Sequence, residues 1–175
     1  MTTFNVFISC HHFSDPRSHE QLFTDLVEQA RHAEALGYDA LSVPEHHFVN
    51  ILMNPDPLMF ALHLANATSH VPISTSVIVL PFHDIRRFAG QAMLADILSG
   101  GRIELGIGRG AFAYEMGRMG VEVSETRDRF DEALAVLEAL FDGEDVGWEG
   151  KYYNFEPITV MPRSRAAARS IWSTP

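Results

Sequence analysis

The sequence has a single cysteine, Cys10, so no intrachain disulfide is available and a reducing, cytoplasmic setting is expected. It is short of positive charge: 13 Lys and Arg against 23 Asp and Glu give a formal net charge of −10. The arginines lie scattered between acids, which leaves no basic face for a phosphate backbone, so nucleic acid is not an expected partner. No apolar run approaches the roughly 18 residues that a membrane helix needs, and no membrane partner is expected either. The first residues carry no basic stretch followed by an apolar one, so no secretory signal is read there. Walker-type phosphate loops, Cys-x-x-Cys and His-Glu-x-x-His are missing too. What remains is a chain of 175 residues, 46% hydrophobic and 21% charged, the composition of a soluble globular protein with length enough for one core.

Short apolar runs alternate with longer stretches of helical spacing. Residues 4–10 read as a buried strand through Phe4, Val6, Phe7 and Ile8. Ser18-His19-Glu20-Gln21 has the form of a capping box, and Leu22, Leu26, Ala30, Ala33 and Leu36 continue at helical spacing to a stop at Gly37. A second strand is expected at 40–43, then a helix entered through Asp56-Pro57 that fades near Ser69. The third strand, 73–80, is the clearest. Asp84 caps a third helix ending at Gly100-Gly101, and strand four, 102–107, breaks into Gly106-Ile107-Gly108-Arg109-Gly110. A fourth helix carries Phe130, Leu134, Leu137 and Phe141 on one stripe and ends at Gly143. An aromatic hairpin is expected near 146–156, and residues 170–173 begin a fifth strand.

Strands thus start near residues 4, 40, 73 and 102, roughly one βα unit every 30 to 36 residues. Apolar strands alternating with amphipathic helices argue for an α/β fold with a parallel sheet covered by helices. Four or five such strands complete a doubly wound sheet, or make the first half of a (β/α)8 barrel. Periodicity alone leaves both open.

In either architecture function sits at the C-terminal ends of the strands. His11-His12, Glu45-His46-His47, His83-Asp84 and Gly108-Arg109-Gly110 fall there, while His19, His32, His63 and His70 fall on helices and read as surface or groove residues. The glycine segment is not the dinucleotide fingerprint, because its third Gly comes too early and no tight strand-turn-helix follows. It reads equally as a bulge at a strand end, or as a place where a flat ligand lies against the backbone beside the charge of Arg109.

These residues are familiar as a set. Ala33-Glu34-Ala35-Leu36-Gly37-Tyr38-Asp39-Ala40, Glu45-His46-His47-Phe48, Val79-Leu80-Pro81, Leu98-Ser99-Gly100-Gly101-Arg102, Gly106-Ile107-Gly108-Arg109-Gly110 and Tyr152-Tyr153-Asn154-Phe155 stand in an order and spacing that resembles the bacterial luciferase-like flavin-dependent monooxygenases. The resemblance implies a TIM-barrel type (β/α)8 fold, of which residues 1–175 supply about the first four βα units as one domain. It implies FMN at the C-terminal rim, with reduced FMN and O2 oxygenating a small organic substrate and a flavin reductase supplying the reduced flavin. His46 takes the family's acid/base position. Ser76-Val77 takes the position of its non-prolyl cis peptide against the isoalloxazine ring, and Gly108-Arg109 that of the strand-four pair near the flavin and its phosphate. Glu45 reads as a structural hydrogen-bond partner inside the rim. A half-barrel exposes two sheet edges, so a homo-oligomer or a C-terminal half is expected to cover them. Where the family usually carries a Pro-rich run, this sequence reads Pro162-Arg163-Ser164-Arg165-Ala166-Ala167-Ala168-Arg169.

Two other readings stand beside this one. A metal-dependent barrel hydrolase would use His11, His12, His46, His47 and His83 as ligands, although adjacent side chains in a strand point to opposite faces and each pair offers one ligand at most. A catalytically incomplete half-barrel would serve as an assembly module.

Overall fold

The computed structural model describes residues 2–164 and 171–173. Its elements in chain order are β1 (Asn5–Phe7), α1 (His19–Ala35), β2 (Ala40–Val43), α2 (Pro57–Ala67), β3 (Ile73–Thr75), β4 (Ile78–Val79), α3 (Ile85–Ser99) and β5 (Ile103–Gly108). There follow α4 (Ala113–Arg118), α5 (Thr126–Asp142), β6 (Val146–Glu149), β7 (Asn154–Ile158) and β8 (Ile171–Ser173), with one-turn 3-10 segments at Leu80–Phe82 and Val123–Glu125. No helix among the described residues is long and apolar enough to cross a membrane.

Strand order decides between the two architectures. β1 pairs with β2, β2 with β3, β3 and β4 with β5, and β5 with β8, every pair parallel. β3 and β4 are two halves of one strand, so each strand lies beside the next in the chain. A doubly wound sheet reverses its order at a switch point; this one does not, which is the strand order of a (β/α)8 barrel. β6 and β7 form the expected antiparallel hairpin, a separate two-stranded sheet.

The register separates two faces. Val6, Leu41, Ile73 and Ile103 are aligned neighbours, and the last three are buried in the core with Leu22, Leu26, Ala30, Leu64 and Phe88 from the helices. The alternate row, Phe7, Ser42, Ser74 and Glu104, lies on the opposite face. This corrects the first strand: only residues 5–7 are paired, and Phe4 and Phe7 are 63% and 48% exposed instead of buried. β1 has one sheet neighbour among the described residues, and alternation turns Phe7 away from the helices.

Helix ends follow local chemistry. Ser18 Oγ accepts from the Gln21 N–H (3.2 Å), but the Gln21 amide turns to Asp25 (2.8 Å), so the capping box is only half made. Asp56 and Asp84 cap α2 and α3 through the N–H groups of Met59 and Arg86. Gly100 ends α3 at φ +69°, a left-handed position that a side chain disfavours. Arg102 then joins two helix ends, donating to Ser99 O (3.2 Å), Thr68 Oγ1 (3.1 Å) and the Ala65 carbonyl. His70 lies in the bend after α2, not on a helix, where its N–H and those of Ser69 and Val71 are gathered by the Glu34 carboxylate.

Arg163, in the Arg- and Ala-rich run after Pro162, has a definite task. Its guanidinium donates to the carbonyls of Leu140 (3.0 Å), Phe141 (2.9 Å) and Gly143 (2.7 Å), closing the C-terminal end of α5. Arg163→Met should cost about 2 kcal/mol in urea unfolding, since carbonyls at a helix end lose a charged donor. A midpoint equal to wild type would show that water replaces the guanidinium without loss. Residues 165–170 of the same run lie outside the described residues.

Candidate active site

The C-terminal ends of β2, β4 and β5 enclose a cleft of ≈ 270 Å³. Ser76, Val77 and Val79 form one side, and residues 108–112 at the end of β5 form another. Glu45, His46 and Glu115 complete the lining. All five sequence-predicted positions, His46, Ser76, Val77, Gly108 and Arg109, therefore line one cleft. The third strand, expected to run unbroken over 73–80, is interrupted here, and the Ser76–Val77 peptide is cis.

Of the five strand-end histidines only His46 reaches this cleft. His12 is turned to the Arg17 carbonyl (2.8 Å), and His11 pairs through its backbone with Leu52. The rings of His47 and His83 both face Glu45. Among the described residues no group of three or more His, Cys, Asp or Glu has the arrangement of a metal site, so the histidines do not form the ring of ligands that the hydrolase reading requires.

His46 Nδ1–H donates to Glu115 Oε1 (2.9 Å), and the same oxygen accepts the His47 N–H (3.0 Å). Glu115 is 3% exposed and comes from α4, a short helix that the sequence reading did not contain. A carboxylate only accepts, so the neutral imidazole carries its proton on Nδ1 and presents the Nε2 lone pair to the cleft. The Phe112 ring packs edge-on to the imidazole, 5.3 Å between centroids. Among the described residues Nε2 has no protein partner. The arrangement is an oriented base or acid at the edge of a cleft.

Glu45 acts as a tie. It is 3% exposed. Oε1 accepts from His47 Nε2–H (2.7 Å) and His83 Nε2–H (2.9 Å), and Oε2 from the Val79 N–H (2.7 Å), binding the loop after β2 to β4 and the turn beyond it. Burial raises a carboxyl, but the bonds from His47, His83 and Val79 outweigh it and hold Glu45 below its ordinary value of 4.5. The bond to Glu45 likewise lifts His47 above 6.5 against the opposing effect of burial.

The signs give a pH dependence. Glu45's contribution to stability is complete above 4.5 and fades as pH falls through its folded value; that of His47 is complete below 6.5 and fades as pH rises through its raised value. The stability difference between wild type and His47→Gln should therefore be largest between pH 4.5 and 6.5 and shrink on the alkaline side. Urea midpoints across that range measure it, and a difference that grows with alkaline pH would contradict the assignment.

The Gly-rich segment is used in two ways. Gly110 sits at φ +82°, and a Cβ there would meet Val79 Cγ1 at 2.8 Å, so this position keeps the cleft wall thin. Arg109 is exposed at the rim and makes no ion pair among the described residues, unlike Arg17, Arg31 and Arg86. Glu115 and Phe112 are the participants that sequence reasoning missed. The signal for Glu115 was a lone acid in a buried position just past the glycines.

The same architecture recurs in known proteins. The chain is 32% identical over 162 residues to the oxygenase component of a flavin-dependent trigonelline monooxygenase from Acinetobacter baylyi, covering 91% of this chain and 45% of that protein. The crystal structure of monooxygenase RslO1 from Streptomyces bottropensis superimposes with a TM-score of 0.88 at 29% identity, over 93% of this chain and 50% of the other. The FMN complex of the oxygenating constituent of 3,6-diketocamphane monooxygenase from Pseudomonas putida shares the fold, with a TM-score of 0.81 at 22% identity over 89% and 43% of the two chains. The chain thus spans about half the length of the relatives it matches. The strands run in chain order without reversal, the family model of luciferase-like monooxygenases matches residues 2–174, and the chain belongs to that family.

Proposed function

We propose that this chain is the flavin-facing half-barrel of an FMN-dependent monooxygenase that uses reduced FMN and O2 to oxygenate a small organic molecule. The observation that carries the reading is one cleft bordered by a thin wall, an oriented imidazole and an unpaired guanidinium. The residues fit the cofactor. Ser76, Val77, Gly108, Gly110 and Ala111 offer a planar ring backbone and small side chains, and Arg109 offers a phosphate a positive charge in a chain of net charge −10. At ≈ 270 Å³ the cleft is at the small end of ligand sites, sized for the ring system more than for the whole cofactor. Reduced FMN, when bound, supplies the electrons that activation of O2 requires.

The protein's own part is position and proton. His46 gives or takes a proton at Nε2 while Glu115 keeps Nδ1 protonated, and Phe112 shields the imidazole edge from water. The relative from Acinetobacter baylyi is named as an oxygenase component, which supports a separate reductase as the source of reduced flavin. Within the described residues β1 and β8 each have one neighbour, consistent with a second half or a second copy completing the sheet.

Titration of the 175-residue chain with FMN, oxidised and then reduced under anaerobic conditions, tests the reading by absorbance and flavin fluorescence. Saturable one-to-one binding is expected. Arg109→Ala should weaken FMN about tenfold while leaving riboflavin, which lacks the phosphate, within twofold. No saturation by either flavin would leave the chain as an assembly module.

A further inference from the structure

His46 borders a second cleft on its other side. The loop between β2 and α2 forms it, with Phe48, Leu52, Met53 and Pro55 as an apolar wall and His19 and Asn50 as polar groups, around a space of ≈ 580 Å³. Among the described residues no carboxylate, Lys or Arg lines it. The loop is built, not merely connecting: the His12 N–H donates to Ile51 O (3.0 Å), the Met53 N–H to Cys10 O (3.1 Å), and the His46 N–H to Asn54 O (2.9 Å). The buried Asn54 amide reaches back to Pro44 O (2.7 Å). Within this anchored loop Phe48 holds φ +56°, an unfavourable conformation for an aromatic residue, and is 62% exposed.

We infer that this second cleft takes the organic substrate, and that its occupant is a neutral, compact, mostly apolar molecule carrying a single hydrogen-bonding group. An apolar wall with few polar groups fixes such a molecule by shape and leaves Asn50 and His19 to orient its one polar atom. A charged molecule would enter without a counter-charge, at the cost of its hydration. The position supplies the chemical sense, because among the described residues His46 alone lines both clefts, so a molecule in the second cleft lies beside the proton-carrying ring that borders the first. The inference rests on the flavin reading for what happens to the molecule, but not for its binding.

The test uses 2-adamantanone and 1-adamantanecarboxylate, cages of equal bulk that differ in charge, titrated into the 15N-labelled chain. The ketone should shift the amides of residues 48–53 saturably, and the carboxylate should bind at least about tenfold more weakly. Phe48→Asn, whose side chain tolerates positive φ, and Leu52→Gln should each weaken the ketone about fivefold or more, with Phe48→Tyr near wild type. FMN affinity, measured on the same samples, should stay within twofold throughout. Equal binding of both cages, shifts confined to another surface, or unchanged ketone affinity in Phe48→Asn and Leu52→Gln would overturn the inference. If the ketone binds at this loop and FMN binds nowhere, the cleft stands and the flavin reading falls; FMN binding with no response at residues 48–53 is the reverse.

Discussion

On the proposed FMN-dependent function, Glu115→Ala should slow turnover by about 10²–10⁴-fold. The carboxylate is buried at the back of the cleft lining and acts through His46, whose Nδ1–H it accepts at 2.9 Å. Without it the ring is free to rotate and to place its proton on either nitrogen, so Nε2 is correctly oriented and deprotonated in only a small fraction of molecules. Glu115→Gln separates position from charge. Its amide oxygen still accepts from Nδ1 and from the His47 N–H, so the loss should be smaller, about ten- to a hundredfold. A purely structural role would not move the imidazole 15N shifts, which should report the Nδ1–H tautomer in wild type and a mixture in Glu115→Ala. Because Glu115 works through His46, the double variant with His46→Ala should be no slower than His46→Ala alone. Turnover within threefold of wild type in Glu115→Ala, with a wild-type tautomer, would remove Glu115 from the mechanism.

That pairing also marks the limit of sequence reading. Signals that act within a few residues were legible: the bounds of β2, the Asp56-Pro57 entry to α2, and the Gly100 exit from α3. The positions of His46, Ser76, Val77, Gly108 and Arg109 on one rim came from matching motifs and strand ends, and one cleft does contain them. His46 and Glu115, by contrast, are 69 residues apart, and no periodicity joins an imidazole on one loop to a carboxylate on a six-residue helix. Such a helix is too short to hold by propensity and stands because Met116 is buried and Arg118 lies over the Tyr114 ring. The exposure of Phe7 was hidden for a related reason: hydrophobic pattern predicts burial, while only the sheet's neighbours decide whether anything covers that face. The break inside 73–80 was invisible to composition, since Ser76 and Val77 suit a strand as well as their neighbours do.

Glu45→Ala should be the most destabilising single change in the site, lowering unfolding free energy by about 3–5 kcal/mol, a large part of the roughly 5–15 kcal/mol margin of a folded domain. Three donors converge on this buried carboxylate, and its removal leaves the Val79 N–H and the inward edges of His47 and His83 without an acceptor. A buried unpaired donor costs about 1–3 kcal/mol, with the partly exposed imidazoles at the lower end because water reaches them. Glu45→Gln keeps one acceptor oxygen but turns an amide NH2 toward donors, so about 2 kcal/mol is expected. Urea midpoints measure both, and losses below about 1 kcal/mol in Glu45→Ala would show that the three donors find other partners. The contrast with Glu115 then sorts two acids that a sequence presents alike. Loss of Glu45 should shift the unfolding midpoint and weaken FMN together, because Val79 of the cleft wall depends on it. Loss of Glu115 should leave the unfolding midpoint nearer wild type while proton transfer fails, since its bonds govern one ring and one loop N–H. One carboxylate holds the rim in shape and the other aims the residue that the rim presents.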